Sequence, residues 1–412
     1  MNKSPRLVAL ETLYSIFYDG SYSNIALDKA LSDIKENKAF ISALVYGVTE
    51  RKITLDYFID KYAQGRIKPK VRIVLWLGAY QLLFMDKVPS SASINESVKL
   101  VKEIKQDYYS KLVNAVLHKI DNDRQIPDDL SVKYSVPENL INMWKKQYGE
   151  DVLNEFLPCI NDKPPLFAIP NKKFVNSDEL LYELECDGIL GEAYDEFVLI
   201  ENANDLTDSK AFKNGLFYIE DLSSFNCANA LDALGDDLVL DMCSAPGGKA
   251  FTISQSMNNS GKIYCYDLHE HRLNLIKSSA KRLSIDNIYT DVNDATVYNE
   301  NIPKADKILC DVPCSGFGII RRKPEIRYKE LDSVKDLPQI QYKILETSSR
   351  YLKDGGRIIY STCTLNKKEN ENVVNKFLKD HSGYKLLKDK TVFPSTVGGD
   401  GFYYAIMVKN EN

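Results

Sequence analysis

The sequence predicts a multidomain protein with an all-α N-terminal bundle, a small α+β module and a C-terminal α/β domain built on a parallel sheet. Three observations carry this. Apolar residues recur at helical spacing through roughly the first 125 positions. From about residue 215 onward, short apolar strands alternate with helical patterns, the signature of parallel βαβ units. At 412 residues the chain also exceeds what one ordinary core organises. The expected boundaries are 1–125, 130–212 and 213–412.

In the first segment Leu7, Leu10, Tyr14 and Phe17 share a helix face, as do Ile94, Val98, Val101 and Ile104. The stretch Val71–Phe84 is apolar nearly all round and should lie at the centre of the bundle. A cluster of Arg51, Lys52, Lys61, Arg66, Lys68, Lys70 and Arg72, opposed only by Asp56 and Asp60, is the candidate for phosphate contact there, with a solvated helix face as the equal alternative. The polar run 121–129 closes the bundle as a linker. Residues 130–212 mix helices with short strands, one of them around Leu166–Ile169. Beyond them Leu238–Leu240, Lys262–Tyr266, Lys307–Cys310 and Arg357–Tyr360 read as strands. Ligands of such sheets gather beyond the carboxyl ends of the strands. The unusual residues fall at those ends: Asp241 and its loop, Asp267, Asp311 with Cys314, and Cys363.

Composition narrows the function classes. The apolar fraction of 44% and charged fraction of 27% describe a water-soluble globular chain. No run of about 20 apolar residues is present to span a membrane, and the start Met1–Arg6 lacks the apolar core of a secretory signal. Eight cysteines without a CxxC pair predict neither a disulfide framework nor a metal centre, so reduced thiols in a cytoplasmic protein are expected. The net charge of −5 is uneven. Residues 1–127 hold 19 Lys and Arg against 14 Asp and Glu, and the remainder 34 against 44. A basic module on an acidic body is compatible with a polyanion partner such as RNA.

After Asp241 the chain reads Met242-Cys243-Ser244-Ala245-Pro246-Gly247-Gly248-Lys249. Two glycines after a proline permit a tight turn and close approach of backbone to a ligand. The loop lacks the spacing of a phosphate-binding P-loop and the GxGxxG of dinucleotide dehydrogenases. Asp267, ending the next strand, suits the two hydroxyls of a ribose, and Asp294 suits the amine of an adenine. Singly, such aspartates are more often caps or turn formers; three at successive strand ends favour a ligand. S-adenosylmethionine matches, having a ribose and an adenine but no phosphate.

Cys314, in Asp311-Val312-Pro313-Cys314-Ser315-Gly316, and Cys363, in Ser361-Thr362-Cys363-Thr364, each follow a strand into a turn. Cys159, Cys186, Cys227, Cys265 and Cys310 read instead as small apolar residues. A thiolate is a strong nucleophile. Its addition to carbon 6 of cytosine breaks the ring's aromaticity and makes carbon 5 able to attack a sulfonium methyl. That reaction needs one attacking thiol, a donor near ring N3, and a group assisting release. The residues alone leave open which thiol attacks.

The segments Asp241–Lys249, Asp311–Gly318 and Ser361–Thr364 resemble the RNA cytosine-C5 methyltransferases, and within them the bacterial Sun/Fmu-type enzymes of small-subunit (16S) ribosomal RNA. Gly78–Phe84 and Asn114–Leu117 resemble the NusB-type RNA-binding domain of that group, and Glu220–Ser224 and Asp400–Tyr403 its flanking motifs. The resemblance covers almost the whole chain. It implies a NusB-like bundle, a small RNA-binding or linker module, and a Rossmann-like class I methyltransferase domain. It implies Cys363 as nucleophile, Cys314 as the group assisting proton removal or release, and Asp311 at the target base near N3. Cys243, Ser244, Ala245, Pro246, Gly247, Gly248, Lys249, Asp267, Asp294 and Asp311 would hold S-adenosylmethionine. The implied protein is a cytoplasmic monomer without metal, acting on ribosomal RNA. Four departures stand out: Ser244 for alanine, Glu220 for glutamine, Ala168–Asn171 for Arg-Val-Asn, and His118 for arginine. The basic stretch Arg321, Arg322, Lys323, Arg327 and Lys329, with Tyr328 among them, is expected to hold RNA backbone. Methylation of a protein or small molecule, or a non-catalytic role in ribosome assembly, are the rival readings.

Overall fold

The computed structural model describes residues 3–202, 206–394 and 398–411; Met1 and Asn2 of the N-terminal reading above lie outside them. The chain forms two compact units, one of residues 1–162 with 320–331, the other of 163–319 with 332–412.

The first unit is helical: α1 (Pro5–Tyr18), α2 (Ser23–Leu31), α3 (Lys38–Tyr62), α4 (Pro69–Phe84), α5 (Ser90–Glu103), α6 (Ser110–Asn122), α7 (Leu130–Tyr134), α8 (Glu138–Tyr148) and α9 (Glu150–Phe156). Ser4 caps α1 through its side chain, and prolines open α1 and α4, where a missing N–H costs nothing. As its composition predicts, α4 is the hub, with Val71, Ile73, Val74, Leu75, Trp76 and Leu77 all buried. Helix α3 passes it at Gly47, where a Cβ would fall 1.9 Å from the ring of Tyr80.

The basic cluster of this unit is largely consumed inside it. Asp56 accepts from Lys52, Arg72 and the Trp76 indole, and Arg72 also reaches Asp60. Lys61 pairs with Asp123, and Arg51 lies over Phe84. The expectation for residues 321–329 is likewise corrected at its centre. Arg327 is fully buried, and its guanidinium donates to the carbonyls of Glu50 and Ser135 and to Asn161 Oδ1 at 2.9–3.1 Å. Tyr328 donates to Thr49 O, and Glu325 caps Ser23 through the amide and hydroxyl. Arg327 and Tyr328 therefore serve this unit's packing and are not free to hold RNA backbone.

The second unit holds two sheets. The smaller has four strands, β1 (Leu166–Pro170), β2 (Gly191–Ala193), β3 (Val198–Ile200) and β4 (Phe217–Ile219), in the antiparallel order β2-β3-β1-β4. It packs with α10 (Ser177–Cys186), whose Asn176–Glu179 capping box fixes its start. Ala168 in β1 is fully buried, and Asn171 ties β1 to Gly215 and Leu283 by donating to their carbonyls.

The larger sheet comprises β5 (Leu238–Asp241), β6 (Lys262–Asp267), β7 (Ile288–Val292), β8 (Ala305–Asp311), β9 (Leu352–Thr362), β10 (Tyr384–Val392) and β11 (Phe402–Lys409), in the order β10-β11-β9-β8-β5-β6-β7. The strands from β9 to β7 are parallel, while β11 and β10 pair antiparallel. Helices α12 (Leu222–Asn229), α13 (Gly248–Ser256), α14 (Glu270–Arg282), α15 (Leu337–Ser349) and α16 (Glu371–Asp380) accompany it. The chain runs outward from β5 through β6 to β7, then restarts on the other side of β5 with β8. That reversal opens a crevice between the carboxyl ends of β5 and β8, the place where such sheets take their ligands.

Candidate active site

Asp241 and Asp311 stand at the two sides of this crevice, ending β5 and β8. The loop between β5 and α13 is held from beneath, since Met242 N donates to Leu309 O and Ser244 N to Tyr266 O. Arg272 of α14 donates to Ala245 O at 2.8 Å, fixing the turn laterally. Gly247 has φ +110°, a conformation that side chains resist, and begins α13. A Cβ on Gly248 would come within 3.0 Å of the Glu220 carboxylate. The glycine pair is thus required by geometry on both counts.

A cavity of about 370 Å³ opens here, lined by the 243–246 loop, Gly248, Lys249, Asp241, Asp311, Glu220 and Asp221 among others. Its charges are coupled. Lys249 Nζ donates to Asp311 Oδ2 at 2.7 Å, and Ser361 Oγ donates to Asp311 Oδ1 at 2.8 Å. The second bond follows from strand register, because Asp311 and Ser361 pair directly across β8 and β9. Burial pushes Glu220 up to about 7, against the pull of Lys249 and a hydrogen bond from Thr252. Burial also pushes Asp241 up to about 7. For Lys249 burial acts downward, yet Asp311 and Glu220 hold its ammonium above the ordinary lysine range.

The cavity's wall suits a nucleoside-bearing ligand. Asp241 Oδ1 and Ser244 Oγ, both on the cavity's lining, are buried without a hydrogen-bond partner of good geometry, so polar atoms at the end of β5 and in its loop are open to a ligand; Asn293 Nδ2, likewise unsatisfied, follows β7 outside that lining. A ligand with ammonium, hydroxyl and ring-nitrogen groups satisfies such atoms, and unsatisfied buried polar atoms are costly otherwise. Asp267 and Asp294 do not line the cavity itself. Asp267 is buried at the end of β6, accepting from His269 N and paired with Arg272 at 3.0 Å. Asp294 is exposed, and its Oδ1 accepts from Thr296 N and Oγ, the turn-forming role that single aspartates commonly take.

The two thiols meet. Cys314 Sγ and Cys363 Sγ are 3.2 Å apart, although 49 residues separate them in sequence. Both are partly exposed. Contact with Cys363, then burial, holds the Cys314 thiol well above its usual range, keeping it protonated beside its partner. Burial first, with nearby carboxylates adding to it, raises Cys227 and Cys310 to about 12, which makes them inert packing residues. Cys363 packs against the apolar cluster that includes Ala245 and Phe402, and Lys249 lies over the Phe402 ring. Gly318 and Gly401 cross so tightly that a Cβ on Gly318 would fall 1.9 Å from Gly401 O and 2.8 Å from Cys363 O. Sequence reasoning missed Ser361 as the second anchor of Asp311. It also missed Gln341, Asn366, Glu369 and Asn370, which surround the thiol loops; the only signal was a run of polar residues just before a helix.

A parallel sheet with a crevice at its switch point and a last strand inserted antiparallel beside β9 is the Rossmann-like fold of the S-adenosylmethionine-dependent methyltransferases. Residues 228–408 match the family model described as 16S rRNA methyltransferase RsmB/F, and residues 3–122 match the NusB family. The probable ribosomal RNA small subunit methyltransferase B of Bacillus subtilis is 33% identical, over 98% of this chain and 99% of that protein. Its counterpart in Synechocystis is 30% identical, over 93% and 90%. Among solved structures, that titled "Crystal Structure of PH0851" superposes with a TM-score of 0.83 at 27% identity, covering 99% of this chain and 100% of the other. NSun6 from Pyrococcus horikoshii with SFG shares the fold, with a TM-score of 0.61 at 21% identity over 67% of this chain and 99% of that one. The chain belongs to the RsmB/F family of 16S rRNA methyltransferases and is an S-adenosylmethionine-dependent rRNA methyltransferase.

Proposed function

We propose that the protein methylates carbon 5 of a cytosine in small-subunit ribosomal RNA through a transient bond between Cys363 Sγ and carbon 6 of the base. The observation that carries this is the thiol pair at 3.2 Å, tied to the cavity through Ser361 and Asp311. Methylation of an exocyclic amine or a ribose hydroxyl has no use for two adjacent sulfurs; methylation of an unactivated ring carbon does. The Cys363 thiolate adds to carbon 6, N3 takes up a proton from solvent as charge develops there, and Asp311, with Lys249 beside it, accepts the hydrogen bond from that N3–H. When bound, S-adenosylmethionine would be held by residues 243–249 with Asp241, and by Asp267 and Asp294 beyond the cavity's own lining, and would supply an electrophilic methyl group. Carbon 5 takes that methyl as the methyl–sulfonium bond breaks, its electron pair staying on the thioether so formed; the carbon-5 proton then passes to water, the Cys363 sulfur departs with its electron pair, and the ring, releasing its N3 proton, is restored. Cys314 assists the release, and burial with Cys363 contact keeps its proton in place until then.

The bundle of residues 1–125 and the module of 130–212 are read as carrying the RNA to the catalytic part at 213–412, in a cytoplasmic monomer. Replacing Cys314 with alanine while keeping Cys363 should trap a protein–RNA adduct that survives denaturing electrophoresis. No adduct in that variant removes Cys314 from the release step. Bisulfite mapping of 16S rRNA with and without the gene should show one protected cytosine disappear; an unchanged map rejects cytosine methylation.

A further inference from the structure

Neither thiol loop belongs to a helix or strand, yet their sulfurs lie closer than two loops would hold by themselves. Glu369 accounts for this. It is fully buried between β9 and α16. Its Oε2 accepts from Ser315 N and Gln341 Nε2, each at 2.9 Å. Its Oε1 accepts from Ser315 Oγ at 2.6 Å and Asn366 Nδ2 at 2.8 Å. Four donors converge on one carboxylate, so both its oxygens are hydrogen-bonded inside the fold.

These bonds run to both thiol loops. Ser315, which follows Cys314, is gripped through amide and hydroxyl, and Gln341 also holds Pro313 O, which precedes it, at 3.0 Å. On the other side Ser315 Oγ bonds Thr364 Oγ1 at 2.7 Å, next to Cys363. The neighbouring Asn370 completes the grip, accepting from Thr362 Oγ1 at 2.6 Å and donating to Thr364 O at 2.9 Å. The residues before and after each cysteine are therefore all fixed by a Glu369–Asn370 clamp or by its immediate partner Gln341. We propose that Glu369 is a positioning residue that sets the separation of the two thiols, and through it the rate of the cysteine-dependent steps. It touches no reacting atom. The catalytic consequence rests on the two-thiol reading above; the geometric one does not.

Phenylarsine oxide tests the geometry without turnover. It condenses with two close thiols, forming two As–S bonds and releasing its oxygen with both thiol protons as water. Cys363→Ser supplies the blank. In Glu369→Ala the full-length protein should bind the arsenical at least about tenfold more weakly, while S-adenosylmethionine affinity stays within about threefold. Its kcat should fall roughly 100-fold with little change in KM for RNA, the scale of a small misplacement of reacting groups. Glu369→Gln, which keeps the volume and one acceptor, should fall between the two and decides the matter alone if the alanine variant does not fold. Unchanged arsenical affinity, or an equal loss of cofactor affinity, overturns the proposal. Full methylation by Cys363→Ala would sink the two-thiol reading instead, leaving the arsenical result standing.

Discussion

The helical unit and the catalytic unit use charge in opposite ways. In the helical unit Arg72, Lys52 and Trp76 converge on Asp56, and Arg327 spends its guanidinium on backbone carbonyls and Asn161. These charges are answered on the spot and serve the packing of the unit. In the catalytic unit Lys249, Asp311, Glu220 and Asp241 crowd one cavity, and burial leaves two carboxyls near pH 7. Their mutual perturbation is the condition of a site prepared for chemistry. A count of basic residues therefore says little about where RNA binds, and the pairing of each charge says much.

The largest effect should come from the catalytic side. Cys363→Ala should lower methyl transfer to RNA by at least about 10⁴-fold, the scale of losing an enzymic nucleophile, with S-adenosylmethionine binding retained by calorimetry. Activity near wild type would take the nucleophile's role away from Cys363.

Next is the scaffold. Arg327→Ala strands several buried carbonyls at once and should cost about 3–5 kcal/mol in chemical denaturation of the helical unit. Arg327→Lys should rescue little, because an ammonium cannot present the planar fork that reaches several acceptors. A variant as stable as wild type would show that this charge is not structural, and would blur the contrast between the units.

A third test separates the units by pH. Glu220 titrates near 7 in the fold against an ordinary value of 4.5. As pH rises from about 4.5 to 7, the unfolded chain loses this proton while the folded chain keeps it, so stability falls with pH across that window. Below 4.5 both states are protonated and the effect vanishes. Glu220→Gln should flatten that slope by up to about 3 kcal/mol. An unchanged slope in Glu220→Gln would place the titration elsewhere.

The smallest effect belongs to the exposed cations. Arg66 and Lys68 lie on the surface of the helical unit. Their joint replacement by alanine should weaken RNA binding several-fold and reduce its salt dependence by one to two counterions. Arg72→Ala should lower stability and leave the salt slope alone. The reverse pattern would mean that the ion-paired face, and not the exposed one, meets RNA.

Much of this protein is legible in its residues. The strands at 238–241, 262–267, 305–311 and 352–362 are legible through the largely apolar stretches 238–240, 262–266, 307–310 and 357–360 inside them, because the middle of a parallel strand is covered on both faces. The strands at 288–292 and 384–392, which lie at the edges of the sheet and carry exposed or charged residues, are missing from the sequence-based expectation, as is 402–409, an apolar strand inside the sheet that pairs antiparallel outside the βαβ alternation. The loop at 243–249 and both cysteine turns were visible as motifs, because tight turns and close backbone approach need particular residue types. The roles of Asp267 and Asp294 remain expectations, now joined by the geometry that engages Asp267 with Arg272 and Asp294 with Thr296.

Sequence by itself determined the helical and α/β divisions, the strand ends that carry chemistry, and the two cysteines worth watching, because periodicity and turn chemistry are local. Only tertiary structure decided that sulfurs 49 residues apart would touch, that Glu369 would bind their loops, and that Arg327 would vanish into the scaffold. Those outcomes depend on strand register and on which distant carbonyls and donors fold against each side chain, and no local pattern encodes them.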